Sequence, residues 1–182
     1  MGGTVIRPET TEDRAAIRDV VARAFFPDAR VAELVDVLRA AAAPLPPLSF
    51  VAVTDDRVVG HVMLTASRLD APARLVDVYV LSPLAVHPEH QGQGIGTALV
   101  AHAIAAADES GVPLLFLEGS PRYYGARGFT TASVAGFRKP SLRIPDAAFQ
   151  VVRLSSYEPW MAGTLVYSEP FWALDCVGLR EQ

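Results

Sequence analysis

Cysteine is nearly absent. Cys176 is the only one in 182 residues, which excludes an intramolecular disulfide and any cysteine-built metal site. Its setting, Leu174-Asp175-Cys176-Val177, reads as a strand burying a small apolar side chain rather than as a nucleophile with an attendant base. Lysine is equally scarce, with Lys139 standing alone, so no Gly-Lys-Ser/Thr phosphate loop can form around the glycines described below. No apolar run approaches the roughly 20 residues that span a bilayer, and the first residues lack the apolar stretch of a signal peptide. A cytoplasmic protein without membrane contact is the expectation. Basic residues are outnumbered, 16 against 20 acidic, for a net charge of -4. That balance argues against a nucleic-acid partner but leaves room for one locally positive anion site. No pattern of His, Asp and Glu suggests a metal site.

What is present fits a folded domain. Hydrophobic residues make up 51% and charged residues 20%, the proportions of a chain with a core to bury. With no repeat, low-complexity tract or linker, 1–182 reads as a single domain. A strand over 4–7 stops at Pro8, and Thr10 with Asp13 makes a capping box. Ile17, Val20, Val21 and Ala24 then follow at helical spacing. A second helix begins near Asp28 and buries Val31, Leu34, Val35 and Leu38. Strands over 49–54 and 57–66 form a hairpin around Asp55-Asp56, with Gly60 marking a bulge or a close backbone approach. A long strand over 75–86 is interrupted at Ser82-Pro83, because proline cannot donate to a regular ladder. A helix over 94–110 with Leu99, Val100, Ala103, Ile104 and Ala107 inside is closed by Gly111. It leads to an apolar strand over 112–117, a helical turn over 122–127 and a strand over 128–131. Late strands fall over 149–154 and 164–167. The order is that of a mixed α/β (α+β) domain.

The richest segment is Leu84-Ala85-Val86-His87-Pro88-Glu89-His90-Gln91-Gly92-Gln93-Gly94-Ile95-Gly96-Thr97. A strand runs through a glycine-rich loop into a helix, and such a loop aims backbone N–H groups and a helix dipole at an anion. A Gly-x-Gly-x-x-Gly dinucleotide fingerprint fails in both registers: from Gly92 its last position is Thr97, from Gly94 it is Leu99. A tight helix entry, with glycines serving packing alone, is the other alternative.

Gln91-Gly92-Gln93-Gly94-Ile95-Gly96 resembles the Gln/Arg-x-x-Gly-x-Gly/Ala acyl-CoA loop of the GNAT (Gcn5-related N-acetyltransferase) superfamily. A helix and a strand later, Tyr123-Tyr124-Gly125-Ala126-Arg127-Gly128-Phe129 resembles that superfamily's Tyr-x-x-x-Gly-Phe signature. The likeness covers about residues 49–132. Its local form, Gly-Ser-Pro-x-Tyr-Tyr-x-x-x-Gly-Phe, is similar to a bacterial branch of the superfamily. It departs from the commoner pattern, in which an asparagine precedes a longer helix; here Glu118-Gly119-Ser120-Pro121 takes that place.

The resemblance implies a single GNAT-like domain, a central mixed sheet of about six or seven strands flanked by helices, with a splayed fourth and fifth strand pair. It implies an N-acetyltransferase that uses acetyl-CoA as co-substrate and acetylates a primary amine of a small-molecule or peptide acceptor, as a monomer or a homodimer. Leu84, Ala85 and Val86 would bind the pantetheine, with donors near Leu84 on the thioester carbonyl. Gln91, Gly92, Gln93, Gly94, Ile95, Gly96 and Thr97 would hold the pyrophosphate. Tyr124 would be the general acid. A base is less evident: Asp77 stands only at the start of its strand, and Glu118 is the candidate, with capping of the following turn as the alternative. A non-catalytic acyl-CoA-binding sensor is the alternative to an enzyme.

Other candidates carry plainer alternatives. His61 reads as a structural histidine, His87 and His90 as solvated flanks of the loop, and His102 as part of a polar helix face. Arg138, Lys139 and Arg143 form a basic cluster that either steers an anion or is solvated. Trp160, Phe171 and Trp172 line a pocket, a dimer contact or the core.

Overall fold

The computed structural model describes residues 3–180. In chain order it contains β1 (Val5–Pro8), α1 (Arg14–Ala24), α2 (Arg30–Ala40), β2 (Leu48–Thr54), β3 (Arg57–Asp70), β4 (Leu75–Val86) and α3 (Ile95–Glu109). These are followed by β5 (Leu114–Glu118), α4 (Pro121–Gly125), β6 (Thr130–Thr131), β7 (Phe149–Arg153), β8 (Thr164–Val166) and α5 (Glu169–Ala173).

Side-chain alternation along the strands sorts the chain into two cores. In β4, Val76, Val78 and Val80 enter one cluster, and Tyr79 and Leu81 the other; in β5, Leu114 and Phe116 are divided from Leu115 and Leu117 in the same way. The first cluster receives α1 through Ile17, Val20 and Val21, and α2 through Leu34, Val35 and Leu38. The second receives α3 through Leu99, Val100, Ala103 and Ala107. One face of the sheet thus carries α1 and α2, and the other carries α3.

The sheet has eight strands in the order β1-β2-β3-β4-β5-β7-β6, with β8 against β3. All pairings are antiparallel except β4 with β5, which α3 joins as a crossover. That parallel pairing is short: Tyr79 faces Leu115 and Val80 faces Phe116. Beyond it β4 stays with β3 as far as Val86, while β5 stays with β7 as far as Glu118. The two strands splay, and the β5-side edge of β4 from Leu81 onward has no strand partner. Pro83 sits beside a register shift between Val62 and Leu64, where a missing N–H is tolerated.

Local expectations were met with instructive exceptions. Asp13 accepts from the Thr10 backbone N–H at 2.7 Å and from the Arg7 guanidinium at 2.7 and 2.9 Å, so the capping box also ties β1 to the first helix. Gly60 answers to both of its alternatives. A register shift lies between Ala52 and Val53 opposite it, and a Cβ on Gly60 would stand 2.9 Å from Leu99 Cδ1 and 3.1 Å from Ile95 Cγ2. Its absence lets α3 lie close on the sheet. The second helix starts at Arg30, because Asp28 Oδ1 accepts the Arg30 N–H at 3.1 Å and so precedes it. β3 extends to Asp70, held on both sides by β4 and β8. The strand over 128–131 shrinks to β6, and α5 is an unforeseen five-residue helix, too short to show a period.

Candidate active site

The glycine loop leaves β4 at Val86. Gln91 Nε2 donates back to Val86 O at 3.0 Å, and Gln93 Nε2 to Glu89 O at 3.3 Å. Gly94 has φ 83°, a left-handed conformation natural to glycine, and from it Ile95, Gly96 and Thr97 open α3. Their N–H groups have no intrahelical acceptor, and the positive end of the helix dipole lies there. These residues line a groove of about 810 Å³ with Leu84, Val86, His90, Gln91, Gly92 and Gly94. Its opposite wall is Ser120, Tyr123, Tyr124 and Arg127. Two of the expected cofactor residues stand apart. The Ala85 side chain is buried in the α1–α2 core, leaving only its backbone for contact, and Gln93 is exposed outside the groove lining.

Arg127 is the functional candidate that sequence reasoning passed over. Its Nη2 and Nε donate to Thr97 Oγ1 at 2.7 and 3.1 Å, and its guanidinium lies 3.6 Å from the centre of the Tyr123 ring. A cation is thereby fixed on the first turn of α3. The signal was its place inside the Tyr-x-x-x-Gly-Phe segment, four residues after Tyr123 on the same helical turn.

Tyr124 packs edge-on against Tyr123 and Phe129, with ring centres 4.9 and 5.7 Å apart. Gly119 makes room for it: a Cβ there would stand 2.5 Å from Tyr124 Cε2. Burial pushes the Tyr124 hydroxyl above the ordinary phenol range, opposed in part by Arg127, so the group stays protonated. Ser120 caps α4 by accepting the Tyr123 N–H at 3.3 Å, which frees Glu118 from the capping alternative.

On the other face of the sheet is a second cavity of about 490 Å³. Phe25, Val31 and Leu34 form one wall, Leu81 to Leu84 another, and Tyr167 with Phe171 a third. Leu84 and Tyr124 line both this cavity and the groove, so the two meet at the splay. Glu118 lies in the second cavity. Its Oε2 accepts from the Tyr167 hydroxyl at 3.0 Å and its Oε1 from the Gly178 N–H at 2.9 Å. Burial raises the Glu118 carboxyl above its ordinary range, although both donors and the nearby Arg143 pull the other way.

The other candidates fall outside the groove. Lys139 pairs with Asp146 at 2.8 Å, Arg143 donates to Val177 O, and Arg138 lies on the exposed rim beside β8. Of the three aromatics, only Phe171 lines the second cavity, stacked on Tyr167 at 4.9 Å. Trp160 donates to Glu158 at 2.6 Å, and Trp172 to Tyr167 O at 3.3 Å. His61 is fully buried with Nε2 2.8 Å from Ser49 Oγ, and the His102 ring packs on Phe50 at 4.5 Å. Among the described residues no group of three His, Cys, Asp or Glu side chains is placed to hold a metal ion, and no helix is long and apolar enough to cross a membrane.

A sheet splayed after one parallel pair, with a glycine loop and helix N-terminus on one side and a buried carboxylate on the other, defines an acyltransferase of the N-acetyltransferase class. The pattern of the acetyltransferase (GNAT) family matches residues 14–137, and the chain belongs to that family. It is 33% identical over 117 residues to the uncharacterized N-acetyltransferase YjhQ of Escherichia coli (strain K12), spanning 64% of each chain. It is 32% identical over 154 residues to YhbS of the same strain, spanning 83% of this chain and 87% of YhbS. Solved structures agree. YhbS in complex with CoA superposes with a TM-score of 0.82 at 27% identity, over 94% of this chain and 93% of that one. A GNAT acetyltransferase from Brucella melitensis in complex with acetyl-CoA does so with a TM-score of 0.74 at 29% identity, over 94% and 99%.

Proposed function

We propose that the enzyme transfers an acetyl group from acetyl-CoA to a primary amine by direct attack within one complex. One observation carries this most directly. The unpaired edge of β4 at Leu84–Val86 lies where the groove and the second cavity meet, flanked by Tyr124. The relatives in complex with CoA and acetyl-CoA support acetyl-CoA as the donor. The groove's donor set fits it: orphan N–H groups of α3 and the Arg127 guanidinium suit a pyrophosphate, and the bare strand edge suits an amide-bearing arm.

Acetyl-CoA supplies an electrophilic thioester, and the chain supplies the rest. The Leu84–Val86 backbone offers fixed donors where negative charge develops on the carbonyl oxygen. Glu118, directly or through one water, takes a proton from the amine. Tyr124 donates a hydrogen bond to the leaving sulfur. By ordinary values a phenol near 10 is a weaker acid than a thiol near 8.5, and burial widens that gap. Tyr124 therefore stabilises the thiolate as it forms and yields its proton only as the charge there becomes complete. Starting from an ammonium, two protons leave nitrogen and one is gained by sulfur, so one proton is released per turnover.

The test pairs binding with turnover. Acetyl-CoA should raise the melting temperature in a concentration-dependent way, and free CoA and N-acetylated product should appear together by mass spectrometry with an amine pool. Stabilisation by acetyl-CoA without product from any amine would establish a sensor instead.

A further inference from the structure

The charges around the second cavity are unevenly paired, and Glu118 is the one left without an ionic partner in contact among the described residues. Arg30 is the cation in the cavity lining, and it is already engaged. Its Nε and Nη2 grip the two Asp28 oxygens at 2.9 and 2.7 Å, and its Nη1 donates to Asp175 O at 3.0 Å. Asp175 is held in turn by Arg180 at 2.8 Å, with Arg143 at 3.6 Å. Arg30, Arg143 and Arg180 thus share the two carboxylates of Asp28 and Asp175. Glu118 has no such partner: among the described residues it makes no ion pair, and its two donors are the neutral Tyr167 hydroxyl and Gly178 N–H. A half-buried carboxylate with no cation in contact, Arg143 acting on it only from a distance, has lost part of its solvation, and an arriving cation offsets that cost. An arriving carboxylate would have to compete with Asp28 and Asp175 for these guanidinium groups and would face Glu118.

The rest of the lining is mostly apolar. Phe25, Val31, Leu34, Leu81 and Phe171 contribute apolar surface to a cavity of about 490 Å³, which suits the body of a small molecule. Resting on the acetyl-transfer reaction proposed above, we infer that the acceptor is a small primary amine on an apolar or aromatic body, without a carboxylate beside the amine. The ammonium sits on Glu118 and the body lies against Phe25 and Phe171. Excluding water from the pair disfavours both charges and eases proton transfer from ammonium to Glu118. The neutral amine then forms the C–N bond as the thioester C–S bond breaks. Tyr124 protonates the departing thiolate and regains a proton from the newly acetylated nitrogen, while the proton first taken by Glu118 leaves for solvent.

The experiment compares 2-phenylethylamine with phenylalanine, hexylamine with norleucine, and both with a phenylalanyl dipeptide, all with acetyl-CoA and the full chain. The simple amines should exceed their carboxylate counterparts in kcat/KM by about tenfold or more, since a carboxylate placed beside Glu118 without a partner of its own costs on the order of 1.4 kcal/mol, one factor of ten. Equal or better acetylation of the amino acids or the dipeptide overturns the acceptor class while leaving acetyl transfer standing. Product from none of them, with acetyl-CoA still raising the melting temperature, overturns both. A second readout needs no turnover. Cys176 lines the cavity and is the only thiol of the chain, so 2-phenylethylamine should slow its alkylation by iodoacetamide and phenylalanine should not. Glu118→Gln should abolish that protection. Protection by phenylalanine as strong as by the amine would reject the assignment.

Discussion

Tyr167 donates its hydroxyl to Glu118 Oε2 across 3.0 Å, joining the segment after β8 to the tip of β5. The bond favours the charged carboxylate, while burial favours the neutral acid. Activity that needs the carboxylate is therefore lost as pH falls through a value above the ordinary glutamate range of about 4.3. Removing the hydroxyl in Tyr167→Phe takes away a stabiliser of the charged form. The acid limb of kcat/KM against pH should move to higher pH, with the plateau largely kept. An unmoved limb would detach Tyr167 from the titrating group. Glu118→Gln should lower kcat by about 100-fold or more, the range of general-base losses, and remove the limb.

Tyr124→Phe deletes one hydroxyl and keeps the ring that packs on Phe129. Turnover should fall by about 100-fold, while the CoA dissociation constant measured by calorimetry stays within about twofold, since no charged contact is lost. A large loss of affinity with unchanged kcat would assign the hydroxyl to binding instead.

Arg127→Ala should weaken CoA binding by about tenfold or more, the worth of a charge-assisted hydrogen bond, with a shallower salt dependence than the parent. Lysine should restore little, because a point charge replaces neither the planar contact on Tyr123 nor the fork on Thr97.

Gly60→Ala places a methyl 2.9 Å from Leu99 and 3.1 Å from Ile95. Overpacking of this kind costs about 1–3 kcal/mol. Urea unfolding should show the loss, and acetyl-CoA should stabilise the variant less, since α3 must lift away from the sheet.

Glu9 offers a test in the acid range. It accepts from Arg39 at 2.6 and 3.2 Å and from Ser49, and lies 3.6 Å from His61. Burial acts against its charge, but these partners prevail and bring the carboxyl down to about 2. A group lowered on folding adds stability above its unfolded value and loses it as pH falls toward the folded one. Glu9→Gln should be less stable than the parent at pH 7 by on the order of 2 kcal/mol. That gap should close between pH 5 and 2 in urea titrations.

The groove half of the candidate site was legible because its glycine loop and its Tyr-x-x-x-Gly-Phe segment are local motifs that resemble those of the family. Gly92, Gly94 and Gly96 are spaced by the demands of a helix entry, and Tyr124 stands at a fixed distance from Gly128-Phe129. The half around Glu118 was not. Glu118 stood out only as a carboxylate at a strand end, and its partners Tyr167 and Gly178 lie 49 and 60 residues away. They arrive through β8 and α5, elements too short to leave a period in the chain. Arg127 was visible but mute, since nothing in its neighbours says that it reaches back to Thr97. The pairing of Arg30 with Asp28 and Asp175, on which the acceptor inference turns, likewise exists only after folding.

The splay between β4 and β5 also governs traffic. In the proposed reaction the donor would enter by the groove at α3 and the acceptor by the cavity at α1–α2, so neither would block the other's exit. Steady-state plots at varied acetyl-CoA and amine should therefore intersect rather than run parallel. A single ligand bridging both doors, a CoA sulfur tethered to an amine body, should compete with each substrate in turn.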